Sequence, residues 1–342
     1  MADDGRGRGP YGPPMDLQVA PPVPEAVART GPRWWRVLLV LGLVAAGFAI
    51  DSAAWFGVAA LFALVVPFEK LFPRHPQQLR RPGVGTDLAY AMAQPLLGAV
   101  GIAVAVVVGI ASLAWLPGLL IRPLVAQVPP LPQMLLGIAL FDLAVYWAHR
   151  WGHEVPFLWR FHSIHHSNER MDWISGLRTH PLDGALIAPA FVLLLGAGFS
   201  QELTGLLAVV QIVTGLFLHA NVRWRWRPLH RLVATPEFHH WHHSNEPDAH
   251  FSNYAAFLPA WDLVFGTYFV PAHRRPQRYG VDEPIPAGLV DQLWHPLRGL
   301  TRPWPLLRHP ARGLRHLGAL LRRGLAQLVA SAQRPRRAPG RA

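Results

Sequence analysis

Residues 131–153 read LPQMLLGIALFDLAVYWAHRWGH. An apolar run, Leu131–Ala148, leads straight into two histidines, His149 and His153, four residues apart. That spacing is one helical turn, so both imidazoles project from the same face. A helix that crosses a bilayer needs about 20 apolar residues, with a lower limit near 17. The run is of that length, and its one ionisable group is Asp142. The pair therefore lies at the end of a candidate membrane helix. Taken singly, such a run also reads as a buried core helix.

The histidine pattern returns twice. His162-Ser163-Ile164-His165-His166 is an HxxHH, and His239-His240-Trp241-His242-His243 contains another. Helical spacing groups His162 with His165 and His166, and His239 with His242 and His243. The chain holds 18 histidines, and most fall between His149 and His250. Imidazole suits iron, zinc, copper and nickel. Burying so many imidazoles without a shared partner would incur a desolvation penalty at each. Eight or nine clustered imidazoles point to two metal ions. A ligating imidazole normally gives its second N–H to a carboxylate or carbonyl, and Asp142, Asp183, Glu237 and Asn221 are the candidates. Each also has a plain role, such as helix capping for Asp183 or solvation for Glu237. Isolated histidines (His75, His230, His250, His273, His295, His309 and His316) read as ordinary hydrogen-bonded core or surface residues.

Working outward, six apolar stretches occur, at Trp35–Ile50, Ala53–Phe68, Leu88–Leu116, Leu131–Ala148, Gly184–Phe199 and Leu203–Leu218. They read as helical hairpins, some of which need not cross fully. Arginine placement favours a cytoplasmic N-terminus. The inner segments then hold Arg29, Arg33, Arg36, Lys70, Arg74, Arg80, Arg81 and every histidine cluster. The outer turns hold Asp51, a Leu116–Pro130 loop with Arg122, and Ser200–Glu202. The expected fold is all-α, a polytopic membrane helical bundle with a cytoplasmic helical cap rich in histidine. Residues 1–32, rich in Pro, Gly and Arg, read as a disordered tail. Residues 33–130 read as transmembrane hairpins and 131–280 as the histidine-bearing domain. Residues 281–342 read as a basic amphipathic tail, in which Leu314, Leu317, Leu321, Leu325 and Leu328 recur near helical spacing. That tail suits an anionic membrane surface.

Composition agrees. Of 342 residues, 51% are apolar and 15% charged, with a net charge of +12. That balance speaks against an ordinary soluble enzyme and against wholesale disorder. There is no cysteine, which excludes disulfides, thiolate metal sites and thiol nucleophiles. The arginines flank apolar helices and no recognition motif accompanies them, so no nucleic-acid partner is expected. A zinc hydrolase fits less well, because the first cluster is HRWGH and lacks the general-base Glu of HExxH.

The motifs DLAVYWAHRWGH (142–153), WRFHSIHHSNE (159–169), RTHPLD (178–183), FLHAN (217–221), TPEFHHWHHS (235–244) and NYAAFLPAWDLVFGTY (253–268) together resemble the fatty acid hydroxylase/sterol desaturase superfamily of integral membrane di-iron enzymes. The resemblance implies iron ligands, and hence the catalytic centre, at His149, His153, His162, His165, His166, His239, His242 and His243. It adds His219 in FLHAN and His180 in THPLD. Some members carry a histidine four residues before the His219 position; here that residue is Gly215, and His180 is the expected replacement. His240 is a spacer. The implied chemistry uses two iron ions, O2 as co-substrate and electrons from an external reductant chain to hydroxylate or desaturate a C–H bond of a fatty acyl or sterol-like lipid. The His-Pro-Gly-Gly signature of a fused cytochrome b5 domain does not occur in this sequence. Electrons are therefore expected from a separate donor, a reductase working with a ferredoxin or cytochrome b5-like protein. Trp147, Trp151, Phe161, Trp173 and Trp241 are expected either to shape a lipid slot or to serve as interfacial and core packing. The short arginine-rich tails are like those of bacterial members, which places the chain in the inner membrane with a cytoplasmic catalytic face. The alternatives from other classes are a membrane metal-binding or transport protein and a metal-dependent lipid hydrolase.

Overall fold

The computed structural model describes residues 34–50, 52–77, 80–225 and 227–298, together with Arg322, Ala326, Val329 and Ala330. The expected N-terminal tail lies outside these residues, as do His309, His316 and, apart from those four, residues 299–342 of the expected C-terminal tail. The chain divides into a unit ending at Leu39 and a unit from Val40 onward, which holds the histidines and the cavities discussed below.

The described residues are helical, and pairing between extended segments is limited to two isolated bridges, Pro73 with Val222 and Ser244 with Tyr279. Helices α1 (Trp34–Ile50) and α2 (Ser52–Leu71) come first. Helix α3 (Val84–Ala111) follows, then α4 (Trp115–Val125), α5 (Pro130–Glu154) and α6 (Pro156–His166). After a looped stretch come α7 (Ala188–Gly196), α8 (Gln201–His219), α9 (Pro236–His242), α10 (Ala260–Phe265) and α11 (Leu289–Trp294). Helices α3, α5 and α8 are long and apolar enough to cross a membrane. They leave large apolar side chains exposed, among them Ile102, Val107, Leu135, Leu206 and Ile212. In water such surfaces would drive aggregation; against acyl chains they are the natural outer face.

Two apolar stretches depart from the sequence reading. Gly184–Phe199 supplies only a 3-10 turn (Gly184–Ile187) and the nine-residue α7, too short to span. The expected outer loop Leu116–Pro130 is largely helix α4, which pairs with α7. The contact is made by glycines. A Cβ on Gly118 would lie 2.5 Å from the Leu193 carbonyl, and one on Gly196 would lie 2.7 Å from the Trp115 carbonyl. Small residues let helix backbones approach this closely where lipid supplies no hydrophobic drive. Pro117 lies in the first turn of α4, where its missing N–H is tolerated, and Pro123 lies near its end. These prolines and Arg122 are what made the segment read as a loop.

Beyond the long helices, buried ion pairs clamp the chain that returns to the histidines. Asp87, in the first turn of α3, receives Arg81 at 2.7 Å and the Arg178 Nε–H at 2.7 Å. Arg81 also holds Asp172, which caps the 3-10 turn Trp173–Leu177. Asp87, Arg81 and Arg178 lie within a few per cent of full burial, so each depends on its partner.

Candidate metal centre

The histidines gather where four helices end. His149 and His153 lie in the last two turns of α5. Val155 ends α5 and, with Pro156 at the first position of the next helix, starts α6, which carries His162, His165 and His166. His219 is the last residue of α8. Thr235 caps the start of α9 by accepting the Phe238 N–H, and α9 carries His239 and His242, with His243 at its end.

Two groups result. His149, His153, His162, His166 and His242 form one; His165, His219, His239 and His243 form the other. Within each, one ring nitrogen per residue lies within 4.8 Å of all the others. The spacing rule therefore needs refinement. Residues four apart share a group (His149 with His153, His162 with His166, His239 with His243), while the middle histidine of each HxxHH, His165 or His242, crosses to the other. The two groups adjoin: the His166 and His243 rings stack with centroids 4.1 Å apart.

Backbone carbonyls fix the ring orientations. His149 donates its Nδ1–H to Tyr254 O (2.8 Å), His242 to Ser252 O (2.9 Å), His165 to Arg178 O (3.2 Å) and His219 to Gly215 O (2.6 Å). His162 Nδ1 pairs with Asp183 at 2.9 Å. A carbonyl only accepts, so Nδ1 carries the hydrogen and Nε2 is left with its lone pair. His165 Nε2 and His219 Nε2 then face each other at 3.1 Å with no hydrogen between them. That arrangement is repulsive unless a cation lies between the lone pairs. His162 Nε2 is likewise buried with no hydrogen-bond partner.

The other close contacts have the same length: His153–His242 3.2 Å, His166–His242 3.1 Å, His219–His239 3.3 Å and His239–His243 3.1 Å, all between Nε2 atoms. Metal–nitrogen bonds of about 2.0–2.1 Å put neighbouring ligands about 3.0–3.4 Å apart. Burial holds His165, His166, His239, His242 and His243 well below the ordinary histidine pKa of 6.5, and the neighbouring imidazoles push the same way. These rings are neutral at physiological pH, which is the ligating form. The residues fit two ions with all-nitrogen ligand sets.

Of the sequence-derived candidates, nine enter the groups and His180 does not. Its Nε2–H is given to Leu293 O at 3.1 Å, and its Nδ1 accepts the Leu182 N–H at 3.1 Å. With both nitrogens engaged, His180 ties the 178–183 loop to α11 instead of replacing a ligand at Gly215. His240, as expected, lies outside the groups; it pairs with the Tyr279 hydroxyl and with the carbonyls of His219 and Ala220.

Among the four proposed orienting partners, only Asp183 holds a grouped ring. Asp142 accepts the backbone N–H groups of Phe257 and Leu258, both at 2.9 Å. Glu237 pairs with the fully buried Arg74 at 2.9 Å. The Asn221 side chain binds both backbone groups of His75. The acceptors that sequence reasoning missed are carbonyls, which have no side-chain signature. One signal for them does exist. In NYAAFLPAWDLVFGTY, Asp262 accepts the N–H groups of Tyr254 (2.8 Å) and Ala255 (2.9 Å). Asn253, at a positive φ of 60°, donates to Phe238 O and Phe269 O. This motif shapes the turn whose Ser252 and Tyr254 carbonyls aim His242 and His149.

Two cavities reach the groups. One, of about 310 Å³, touches His149, His162, His165, His219 and His239 and is walled by α3, α5, α8 and the Gly176–Ile187 segment. Its wall is aliphatic and glycine-rich. None of Trp147, Trp151, Phe161, Trp173 and Trp241 lines it, so these aromatics serve as packing here. The other, of about 460 Å³, touches His153, His166, His242 and His243 and is lined by Trp159 of α6 and by loop residues including Asn245 and Asp282.

Comparison with known proteins places this geometry. A family model described as fatty acid hydroxylase matches residues 134–267. An ornithine lipid hydroxylase, OlsE, from Rhizobium tropici is 31% identical over 279 residues, covering 77% of this chain and 82% of that protein. The alkylglycerol monooxygenases of Danio rerio and Homo sapiens are 30% and 29% identical over 148 residues; the match spans about a third of their length. No solved structure matches the chain.

Proposed function

Because the chain belongs to the fatty acid hydroxylase family, we propose that it hydroxylates a C–H bond of a membrane lipid, with the nine grouped histidines as ligands of two iron ions. The observation that carries this reading is the convergence of nine imidazole nitrogens into two adjoining groups. When bound, the iron pair supplies the redox chemistry that lets O2 oxidise an unactivated C–H bond. The protein's own residues hold the pair and select what reaches it. Tyr254, Ser252, Arg178, Gly215 and Asp183 keep each Nε2 aimed inward. The apolar cavity between α3, α5 and α8 takes the lipid chain and keeps it dry. The second cavity, lined by loop residues, gives a separate electron donor access to the opposite side of the same rings. The arginine distribution supports a bacterial inner membrane with this face cytoplasmic.

The test is metal analysis of the purified chain together with lipid analysis of expressing cells under ¹⁸O₂. About two irons per chain and one labelled oxygen in a lipid product are expected, and His165→Ala should lose both. Loss of two hydrogens without label would mean desaturation. Zinc at one ion per chain, with lipid cleavage that needs no O2, would refute the proposal.

A further inference from the structure

Apart from the histidines themselves, Thr179 and Asp183, the cavity beside the histidine groups is lined by apolar residues and by two glutamines on membrane-length helices, Gln94 on α3 and Gln211 on α8. The Gln211 Oε1 is buried and has no hydrogen-bond partner, and Gln94 makes no side-chain hydrogen bond among the described residues. Unpaired amides at membrane depth are costly and are the usual mark of a functional position. The one carboxylate on the wall, Asp183, is taken by His162, and neither Lys nor Arg lines the cavity. A charged headgroup therefore finds no counter-charge there. An uncharged group that donates a hydrogen bond finds an acceptor in the Gln211 carbonyl. Amides and hydroxyls have such a donor; an ester or ether oxygen can meet only the glutamine N–H groups and leaves the buried Gln211 carbonyl unpaired.

The position of Gln211 adds a register. Gly215 follows it by one helical turn, about 6 Å along the axis. Gly215 borders the same cavity, and a Cβ added there would meet nothing within 4 Å. In the five-histidine group, His149 lies four residues before His153; in the four-histidine group, the residue four before His219 is Gly215. The four-histidine group is thus open on the side that a fifth imidazole would fill, and that side faces the cavity.

We infer that Gln94 and Gln211 bind an uncharged hydrogen-bond-donating group within the lipid, a secondary amide or a hydroxyl. They thereby hold a C–H bond a few methylenes away at the opening beside Gly215. The inference rests on the lipid-oxidising reading above. It makes the two glutamines specificity residues that set which carbon is presented.

The test is equilibrium binding of three radiolabelled probes of equal chain length to the full chain in detergent micelles: an N-acyl amino acid, a 1-O-alkylglycerol and a fatty acid methyl ester. The chain should bind at least one donor-bearing probe more tightly than the ester. Gln211→Leu and Gln94→Leu should each weaken that binding about 3- to 10-fold while leaving ester affinity and metal content unchanged. Gln211→Asn should restore part of the loss. Preference for the N-acyl probe would name the amide as the recognised group; preference for the alkylglycerol would name the hydroxyl. Equal affinity for all three probes, or an equal loss for the ester in both leucine variants, would overturn the inference. Probe binding as expected without ¹⁸O incorporation would uphold the subsite and overturn the proposed reaction instead.

Discussion

A histidine is a ligand only if something else decides where its hydrogen goes. Here that decision falls to carbonyls of Tyr254, Ser252, Arg178 and Gly215 and to the carboxylate of Asp183. His180 shows the converse: its two nitrogens are both engaged by backbone groups, so it has no lone pair to offer. His180→Ala should therefore keep the full metal complement while losing about 1–3 kcal/mol of stability. Metal analysis and thermal unfolding of the same preparation check both parts. A drop in bound metal comparable to that of His165→Ala would return His180 to the ligand set. The grouped histidines were legible in sequence because imidazole is rare and its helical spacing is informative. The backbone acceptors were not, since any residue can supply a carbonyl.

At the level of elements, the long apolar helix α3 followed from hydrophobic length alone, while the runs that became α5 and α8 were of borderline length in the sequence. The pairing of α4 with α7 did not, because a proline-bearing segment of eleven residues carries no periodic signal strong enough to outweigh its turn residues. What makes that pairing possible is the absence of side chains at Gly118 and Gly196. Gly118→Val should force the two helices apart and lower the yield of monodisperse protein in detergent, with normal metal content in whatever folds. Size-exclusion chromatography of a fluorescent fusion reads this directly, and wild-type yield would mean that the close approach is dispensable. The HxxHH motifs were legible as helical faces but not as split faces. Helical periodicity says which residues neighbour one another; it does not say that the two sides of one helix will feed different histidine groups.

Across the whole molecule, buried neutral imidazoles couple stability to pH and to metal. Burial sets the pKa of His165, His166, His239, His242 and His243 well below 6.5 in the folded chain. Above that value folded and unfolded chains are both neutral at these positions. As pH falls below it, the unfolded chain takes up protons that the folded chain refuses, so the metal-free fold loses stability. Bound metal opposes this until protons displace it. Chelation should therefore lower the thermal midpoint, and the chelator-treated chain should itself melt lower at pH 5.5 than at pH 7.5; a chelator-treated chain equally stable at both would contradict the assignment. The division of α6 and α9 between the two groups has a further outcome. A tilt of either rod shifts donors on both sides at once, so the first ion captured pre-sets the seat of the second. Loading should be cooperative, and native mass spectrometry of a substoichiometric titration should find empty and doubly occupied chains in excess of singly occupied ones.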